Sequence, residues 1–182
     1  MRITISIMYV AGAVVSVSCA SRSAAQHDHA TPPAAVVQSG MRPVDDGGLA
    51  DRIRTATAAF KSLDAAEAAG YPRVGGPCLS RPGIGGMGYH HMNEKLMADD
   101  KLELEHPEVL VYYKTPSGEY VLDGVEYMVL FSQHPGTAEA PTVAGHKLKR
   151  FDQGKFWYLH MWAWLDNPSG FTADWNPKVT CS

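Results

Sequence analysis

The stretch of sequence that decides the fold is residues 156–181, FWYLHMWAWLDNPSGFTADWNPKVTC, which holds all four tryptophans of the chain. Residues 156–165 alternate in a way that predicts a β-strand, because successive side chains of a strand point to opposite faces. One face would carry Phe156, Tyr158, His160, Trp162 and Trp164. The other face would carry Trp157, Leu159, Met161, Ala163 and Leu165. Both faces are apolar, so we expect a central strand that is covered on both sides.

His160 is the only strongly polar side chain in this predicted strand. A buried imidazole requires a partner, which is either a hydrogen-bonding group or a metal ion. The strand itself does not distinguish the two, so candidate partners must come from the rest of the chain.

The composition excludes two classes of function. The chain has 182 residues and a formal net charge of −3, and its lysines and arginines do not cluster, so no nucleic-acid-binding surface is expected. After the N-terminus, no apolar run approaches the roughly 20 residues that cross a bilayer. These features do not determine the oligomeric state.

Residues 1–25 are typical of an export signal, because Arg2 precedes an apolar run over residues 3–17 and small residues follow. Cleavage after Ala25 is one processing route, and the other is a lipoprotein signal with Cys19 as the lipidated residue. Residues 26–48 are rich in Pro, Ala and Gly and predict a flexible linker. Residues 49–182 are expected to form a single globular domain, located in the periplasm or at the cell surface.

Two cysteines, Cys78 and Cys181, remain after either processing route. In an oxidising compartment two remaining cysteines most simply form a disulfide bond. This bond would tie the C-terminus to the segment that precedes a pair of histidines. Metal binding by these cysteines is less favoured, because no Cys-x-x-Cys motif accompanies them.

A helix and a β-hairpin are predicted before the tryptophan-rich strand. Residues 49–70 have apolar side chains at three- and four-residue spacing, which predicts a helix or a broken pair of helices with Asp64 as a cap of the second. Residues 108–114 and 119–131 predict two strands joined by the turn Thr-Pro-Ser-Gly. Gly124 inside the second strand indicates a bulge or bend.

Polar residues interrupt this apolar pattern at two further places. Residues 71–88 have no periodicity and predict an irregular loop that leads directly into His90 and His91. If residues 89–92 are extended, these histidines point to opposite faces and only one can serve a given site. Glu126 stands in the middle of the second hairpin strand, where a carboxylate is costly unless it is paired or bound to a cation. We interpret Asp123, nearer the bulge, as exposed.

The candidate metal site is formed by His90, His91, Glu126 and His160. Imidazole and carboxylate ligands suit a divalent transition metal such as Zn, Cu, Fe or Mn. At most four protein ligands leave a position for water or a small organic substrate. We therefore interpret the chain as a metal-binding protein, and a metal-dependent enzyme is one version of this interpretation. Whether it is an enzyme, which metal it holds and which reaction it performs stay open. No Gly-x-Ser-x-Gly motif supports nucleophilic catalysis.

Two other interpretations stay open beside the metal site. In the first, His160 and Glu126 are joined by a structural hydrogen bond, and the chain is a non-catalytic periplasmic or surface module with an aromatic pocket for a small ligand. In the second, the chain is a structural lipoprotein of the envelope, anchored through Cys19.

Six short motifs occur together: 86–90 (GMGYH), 107–112 (PEVLVY), 124–127 (GVEY), 159–164 (LHMWAW), 167–171 (NPSGF) and 175–181 (WNPKVTC). Together they resemble a family of small exported bacterial proteins of uncharacterised function, over residues from about 50 to 181. The resemblance implies one exported domain and carries no activity. The glycines before His90 and the later Glu126 are also similar to cupins, although the cupin His-x-His pair is absent, so this is an analogy of architecture alone.

These features predict one α+β domain, with an N-terminal helix packed on a mainly antiparallel sheet or small barrel. Long ordered loops are expected to be held by the Cys78–Cys181 disulfide.

Overall fold

Six antiparallel strands form the main sheet of the computed structural model, which describes residues 48–181. The strands of this sheet are β1 (Leu79–Arg81), β2 (Gly85–Met92), β3 (Val109–Lys114), β4 (Tyr120–Leu130), β7 (Lys149–Phe151) and β8 (Phe156–Met161). A separate two-stranded sheet joins β5 (Thr142–Val143) to β6 (His146–Lys147). The export signal predicted over residues 1–25 lies outside the described residues, and so does the linker predicted over residues 26–48 except for Gly48.

The main sheet has the strand order β1-β2-β3-β4-β8-β7 and is curled into a half-barrel. The eleven-residue strand β4 pairs with β3 on one side and β8 on the other. The predicted hairpin of β3 and β4 is confirmed, and its turn closes with a hydrogen bond from the Gly118 N–H to the Thr115 carbonyl. The register of the pair shifts beside Gly124, where a bulge was predicted.

The N-terminal helical segment is broken, as one of the two predicted alternatives required. It consists of α1 (Leu49–Thr57), a 3-10 turn (Ala58–Lys61) and α2 (Leu63–Ala68). The cap of α2 is Ser62, whose side chain accepts a hydrogen bond from the Ala65 N–H, so the prediction of Asp64 as the cap was wrong by two residues. A third helix, α3 (Glu94–Ala98), lies in a segment where none was predicted.

One face of the sheet is covered by α1 and carries the main core. Ile53 of α1, fully buried, packs there with Leu110, Tyr112 and Tyr127 of β3 and β4. The Arg54 guanidinium of α1 donates to the Ala163 carbonyl, which fixes the helix to the segment after β8. The prediction from the apolar spacing of residues 49–57, a helix that buries one stripe against a sheet, is therefore confirmed.

The opposite face is only partly covered. Its buried apolar cluster consists of Val109, Val111 and Met128, with Met97 and Phe156 packed against it. We therefore correct the expectation that the tryptophan-rich strand is covered on both sides. Trp157 and Leu159 are buried on the helix-covered face, while Phe156 and Tyr158 are half-buried on the other.

Two further predictions need correction in their bounds. The strand predicted over residues 156–165 ends at Met161, because the N–H groups of Trp164 and Leu165 turn back to the Asp123 carbonyl. The predicted loop over residues 71–88 contains β1 and the start of β2.

The predicted disulfide is confirmed, since Cys78 and Cys181 are bonded across 103 residues. In the described part of the chain, no helix is long and apolar enough to cross a membrane.

Candidate metal centre

Three strands bring His90, Glu126 and His160 to one point on the partly covered face. Glu126 of β4 lies directly opposite His160 of β8 and opposite Val109 of β3. His90 of β2 lies opposite Val111. Because paired residues share a face and faces alternate along a strand, the three side chains project to the same side of the sheet.

The distances among these side chains suit a shared ion. One potential ligand atom from each of His90, Glu126 and His160 lies within 4.8 Å of the others, and all three residues are buried. The His90 Nε2 to Glu126 Oε2 distance is 3.6 Å. Two ligands that each lie about 2.1 Å from a tetrahedral ion are about 3.4 Å apart, so this pair needs little movement to bind one.

Gly124 and Trp162 define the position of the His160 ring. A Cβ atom at residue 124 would lie 3.0 Å from His160 Nε2 and 2.7 Å from the Met161 carbonyl oxygen. Glycine is therefore required next to the imidazole, since any side chain would occupy its space. The His160 ring also contacts the Trp162 ring, whose centroid is 4.3 Å away at an interplanar angle of 30°.

Three ring nitrogens of the two imidazoles at this point lack a hydrogen-bond partner in the described part of the chain. Within residues 48–181, neither ring nitrogen of His160 has one, and neither does His90 Nδ1. Buried polar atoms are normally satisfied, so atoms of this kind are informative where ligand-type side chains meet. The structural hydrogen bond between His160 and Glu126, which the sequence left open, does not occur among the described residues.

Burial shifts the titration of all three groups toward their neutral forms. It lowers the pKa of His90 to about 4 and places the pKa of His160 well below its ordinary value. Burial also raises the pKa of Glu126 to about 8, with a further increase from Asp174 and a smaller decrease from Lys149. A desolvated carboxylate of this kind is stabilised by a cation, while neutral imidazoles are the form that binds metal.

His91 lies on the other face of the sheet, away from these three residues. Residues 85–92 are extended in β2. Only one of the two histidines can therefore serve the site, as we predicted for an extended segment. The Nδ1 atom of His91 is 2.6 Å from the Pro72 carbonyl oxygen, and its ring packs against Tyr112 at 4.7 Å between centroids. The structure thus places three of the four candidate ligands together and separates His91.

An open pocket of about 400 Å³ lies over the candidate centre. Its polar lining residues are His90 and Glu126. Four methionines contribute to its wall, namely Met87, Met92, Met97 and Met128. Four aromatic side chains also contribute, namely Phe151, Phe156, Tyr158 and Trp175. The sequence offered an aromatic pocket as one open alternative but not its methionine lining, although Met92 and Met128 each lie two residues after a candidate ligand and hence on the same face.

Asp123 is fully buried and not exposed, which corrects our interpretation of this residue. Among the described residues, neither of its carboxylate oxygens has a hydrogen-bond partner, and burial raises its pKa well above the ordinary value. Its side chain lies against Gly88, where a Cβ atom would be 3.2 Å from Asp123 Oδ2 and 2.4 Å from the Tyr112 carbonyl oxygen. The signal for this burial was the bulge itself, because the extra residue of a bulge can turn into the sheet.

Comparison with other proteins does not add to this geometry. No protein-family model, curated protein or solved structure gives a significant match to the chain. The resemblance to small exported bacterial proteins therefore stays a prediction, and the function has to be argued from the site.

Proposed function

We propose that the chain is an exported metal-binding protein in which His90, Glu126 and His160 hold one divalent transition-metal ion. The observation that carries this proposal is that three ligand-type side chains from three strands meet at one buried point. The orphaned nitrogens of His160 support it, because a metal ion would give one of them a partner. Export is supported by the Cys78–Cys181 disulfide, since such bonds persist in oxidising compartments.

Two imidazoles and one carboxylate define the class of metal. This set suits Zn, Fe, Mn or Cu, and with three protein ligands an ion keeps at least one position for an outside molecule. The open pocket lies on the side from which such a molecule would approach. When bound, the ion would act as a Lewis acid or a redox centre, and the chain would be a metal-dependent enzyme for a small organic substrate.

Metal analysis of the full chain, purified without a histidine tag, tests the proposal. After equilibration with each candidate metal and removal of the excess, we expect one ion per chain for at least one metal. His160→Ala and Glu126→Gln should each reduce this stoichiometry strongly. His106→Ala is the matched control, because His106 is exposed and its Nδ1 pairs with Glu103 at 3.1 Å on the surface.

The proposal fails if no metal binds to the folded native chain, or if His160→Ala keeps full stoichiometry with an unchanged circular dichroism spectrum. A metal-free but folded chain would favour the second candidate, a ligand-binding module without catalysis. The apolar pocket above Glu126 is the observation that supports this second candidate.

A further inference from the structure

The partly covered face of the sheet exposes apolar side chains around the pocket. Leu79, Met92 and Phe151 have exposed fractions of 42%, 41% and 40%, and all three line it. Exposed apolar residues that cluster around a concave surface mark a binding site more often than a chance arrangement. By contrast, Val74 is 80% exposed and does not line this pocket.

The chemistry of the pocket changes from its mouth to its floor. The mouth and walls are thioether, aromatic and aliphatic, and methionine side chains adapt readily to apolar ligands of different shape. His90 and Glu126 supply the polar lining, and His160 joins them at the candidate metal centre. The lining contributed by the described residues includes no lysine or arginine, and Lys149, which lies beside Tyr158, is already paired with Asp174.

The size of the pocket limits its ligand. A volume of about 400 Å³ accommodates roughly a dozen non-hydrogen atoms at about 30 Å³ each, the volume of a water molecule in the liquid. This excludes folded polypeptides and large glycans from the interior, and it admits a medium-length alkyl chain or one to two aromatic rings.

From these three features we infer that the pocket binds a small amphiphile, with its apolar body against the methionines and aromatics and one terminal oxygen donor directed to His90, Glu126 and His160. The inference rests on the proposed metal site for the end of the molecule that carries the oxygen donor. The apolar end depends only on the pocket wall. A medium-chain carboxylate has this chemistry, because a bound metal ion supplies the positive charge that the lining lacks.

Titration calorimetry with octanoate, hexanoate, acetate and 1-octanol on the metal-loaded full chain tests the inference. We expect octanoate to bind at one site, and to bind about tenfold more tightly than hexanoate, because two more methylene groups are buried. Acetate should bind far more weakly, since it lacks the apolar body. Octanoate should lose its advantage over 1-octanol when the metal is removed or in His160→Ala.

Phe151→Asp is the decisive variant, and Val74→Asp is its matched control. Both replace an exposed apolar residue, so both should fold, but only Phe151 lines the pocket. Phe151→Asp should weaken octanoate binding at least tenfold while the metal stoichiometry stays unchanged. Val74→Asp should change neither quantity.

Each outcome decides between the two proposals. If metal binds but octanoate does not, or if Phe151→Asp binds octanoate as tightly as the native chain, the inference is overturned and the metal site stands. If no metal binds, the proposed metal site is wrong. In that case, 1-octanol binding that Phe151→Asp weakens would still support the pocket as an apolar-ligand site. If neither metal nor 1-octanol binds, the inference is overturned as well.

The alkyl chain has two sources, a free carboxylate or a membrane lipid. Sedimentation with phosphatidylcholine vesicles distinguishes them. Co-sedimentation that octanoate displaces and that Phe151→Asp abolishes would identify a membrane acyl chain as the ligand, whereas octanoate binding without co-sedimentation identifies a free amphiphile.

Discussion

The two faces of the six-stranded sheet are built on the same strands but bury their polar groups differently. On the helix-covered face, the hydroxyls of Tyr112 and Tyr127 donate to the carbonyls of Phe60 and Leu104. On the pocket face, the described chain offers no hydrogen-bond partner to either nitrogen of His160. His91 on the helix-covered face also has an orphaned Nε2 among the described residues, but its Nδ1 contacts the Pro72 carbonyl oxygen and it is not part of the ligand-type cluster. The orphaned atoms of the pocket face differ because three ligand-type side chains meet there, so that one bound ion could satisfy them.

The largest expected effect compares one core residue from each face. Leu110→Ala on the helix-covered face should destabilise the chain by about 2–5 kcal/mol, because Leu110 is fully buried and its removal leaves a cavity. Met128→Ala should cost clearly less, because Met128 lines the open pocket and the space it leaves joins solvent. Urea unfolding of both variants measures the difference. Equal losses would mean that the pocket face is as closely packed as the helix-covered face.

The disulfide is expected to stabilise the pocket wall as well as the chain. Cys78 lies between Pro77 and Leu79, which both line the pocket, and its bond to Cys181 closes a loop of 103 residues. The double variant Cys78→Ser, Cys181→Ser should lose about 2–4 kcal/mol, since the unfolded chain is no longer constrained. Thermal unfolding, with and without a reducing agent, measures this loss. A native chain that is insensitive to reductant would contradict the prediction.

Two buried carboxyls with the same shifted pKa sharpen the comparison further. Burial raises the pKa of Glu108 to about 8, as it does for Glu126, but Glu108 accepts a hydrogen bond from the Met128 N–H at 3.0 Å. Since the ordinary pKa is 4.5, the folded state holds this proton more tightly than the unfolded state, and its contribution to stability decreases as the pH rises from about 4.5 to about 8. Glu108→Gln removes this dependence while retaining an acceptor for the Met128 N–H.

Relative to the native chain, Glu108→Gln should therefore gain stability with a slope of at most about 1.4 kcal/mol per pH unit over that range and no further gain above it. Urea unfolding at pH 5, 6, 7, 8 and 9 gives the slope. Parallel curves for the two proteins would show that Glu108 does not hold a proton in the folded state.

The smallest effect concerns the two adjacent histidines. His91→Gln should lower stability by about 1 kcal/mol, through a weaker contact with the Pro72 carbonyl, and should leave metal stoichiometry unchanged. His90→Gln should abolish or strongly reduce metal binding, since His90 alone of the pair faces Glu126. If both variants bind metal equally, the assignment of the site to one face is wrong.

Much of the fold could be predicted from local sequence. The hairpin of β3 and β4, its Gly118 turn and the bulge beside Gly124 follow from alternation and from glycine positions, and all three are present. The missed helix α3 has five residues and is held by Asn93, whose side chain accepts from the N–H groups of Lys95 and Leu96. A segment this short has too little periodicity to reveal a helix.

The candidate site could be predicted only in its parts. A histidine in an aromatic strand and a glutamate in an apolar strand both indicated an unusual requirement, and both residues belong to the cluster. A pocket could be foreseen only as one alternative, because an apolar strand face has the same sequence whether a helix or a ligand covers it. The burial of Asp123 was missed for a different reason, since the bulge was predicted but the direction of the Asp123 side chain depends on the close approach of Gly88.

The sequence by itself determined which residues share a face, because side chains alternate along a strand irrespective of what the strand packs against. It also determined the cysteine pair that closes the fold. Only the tertiary structure decided that residues 90, 126 and 160 meet, because their proximity depends on the register of four neighbouring strands drawn from distant parts of the chain. Register is a property of the paired strands and is specified jointly by all of them, so no single stretch of the sequence contains it.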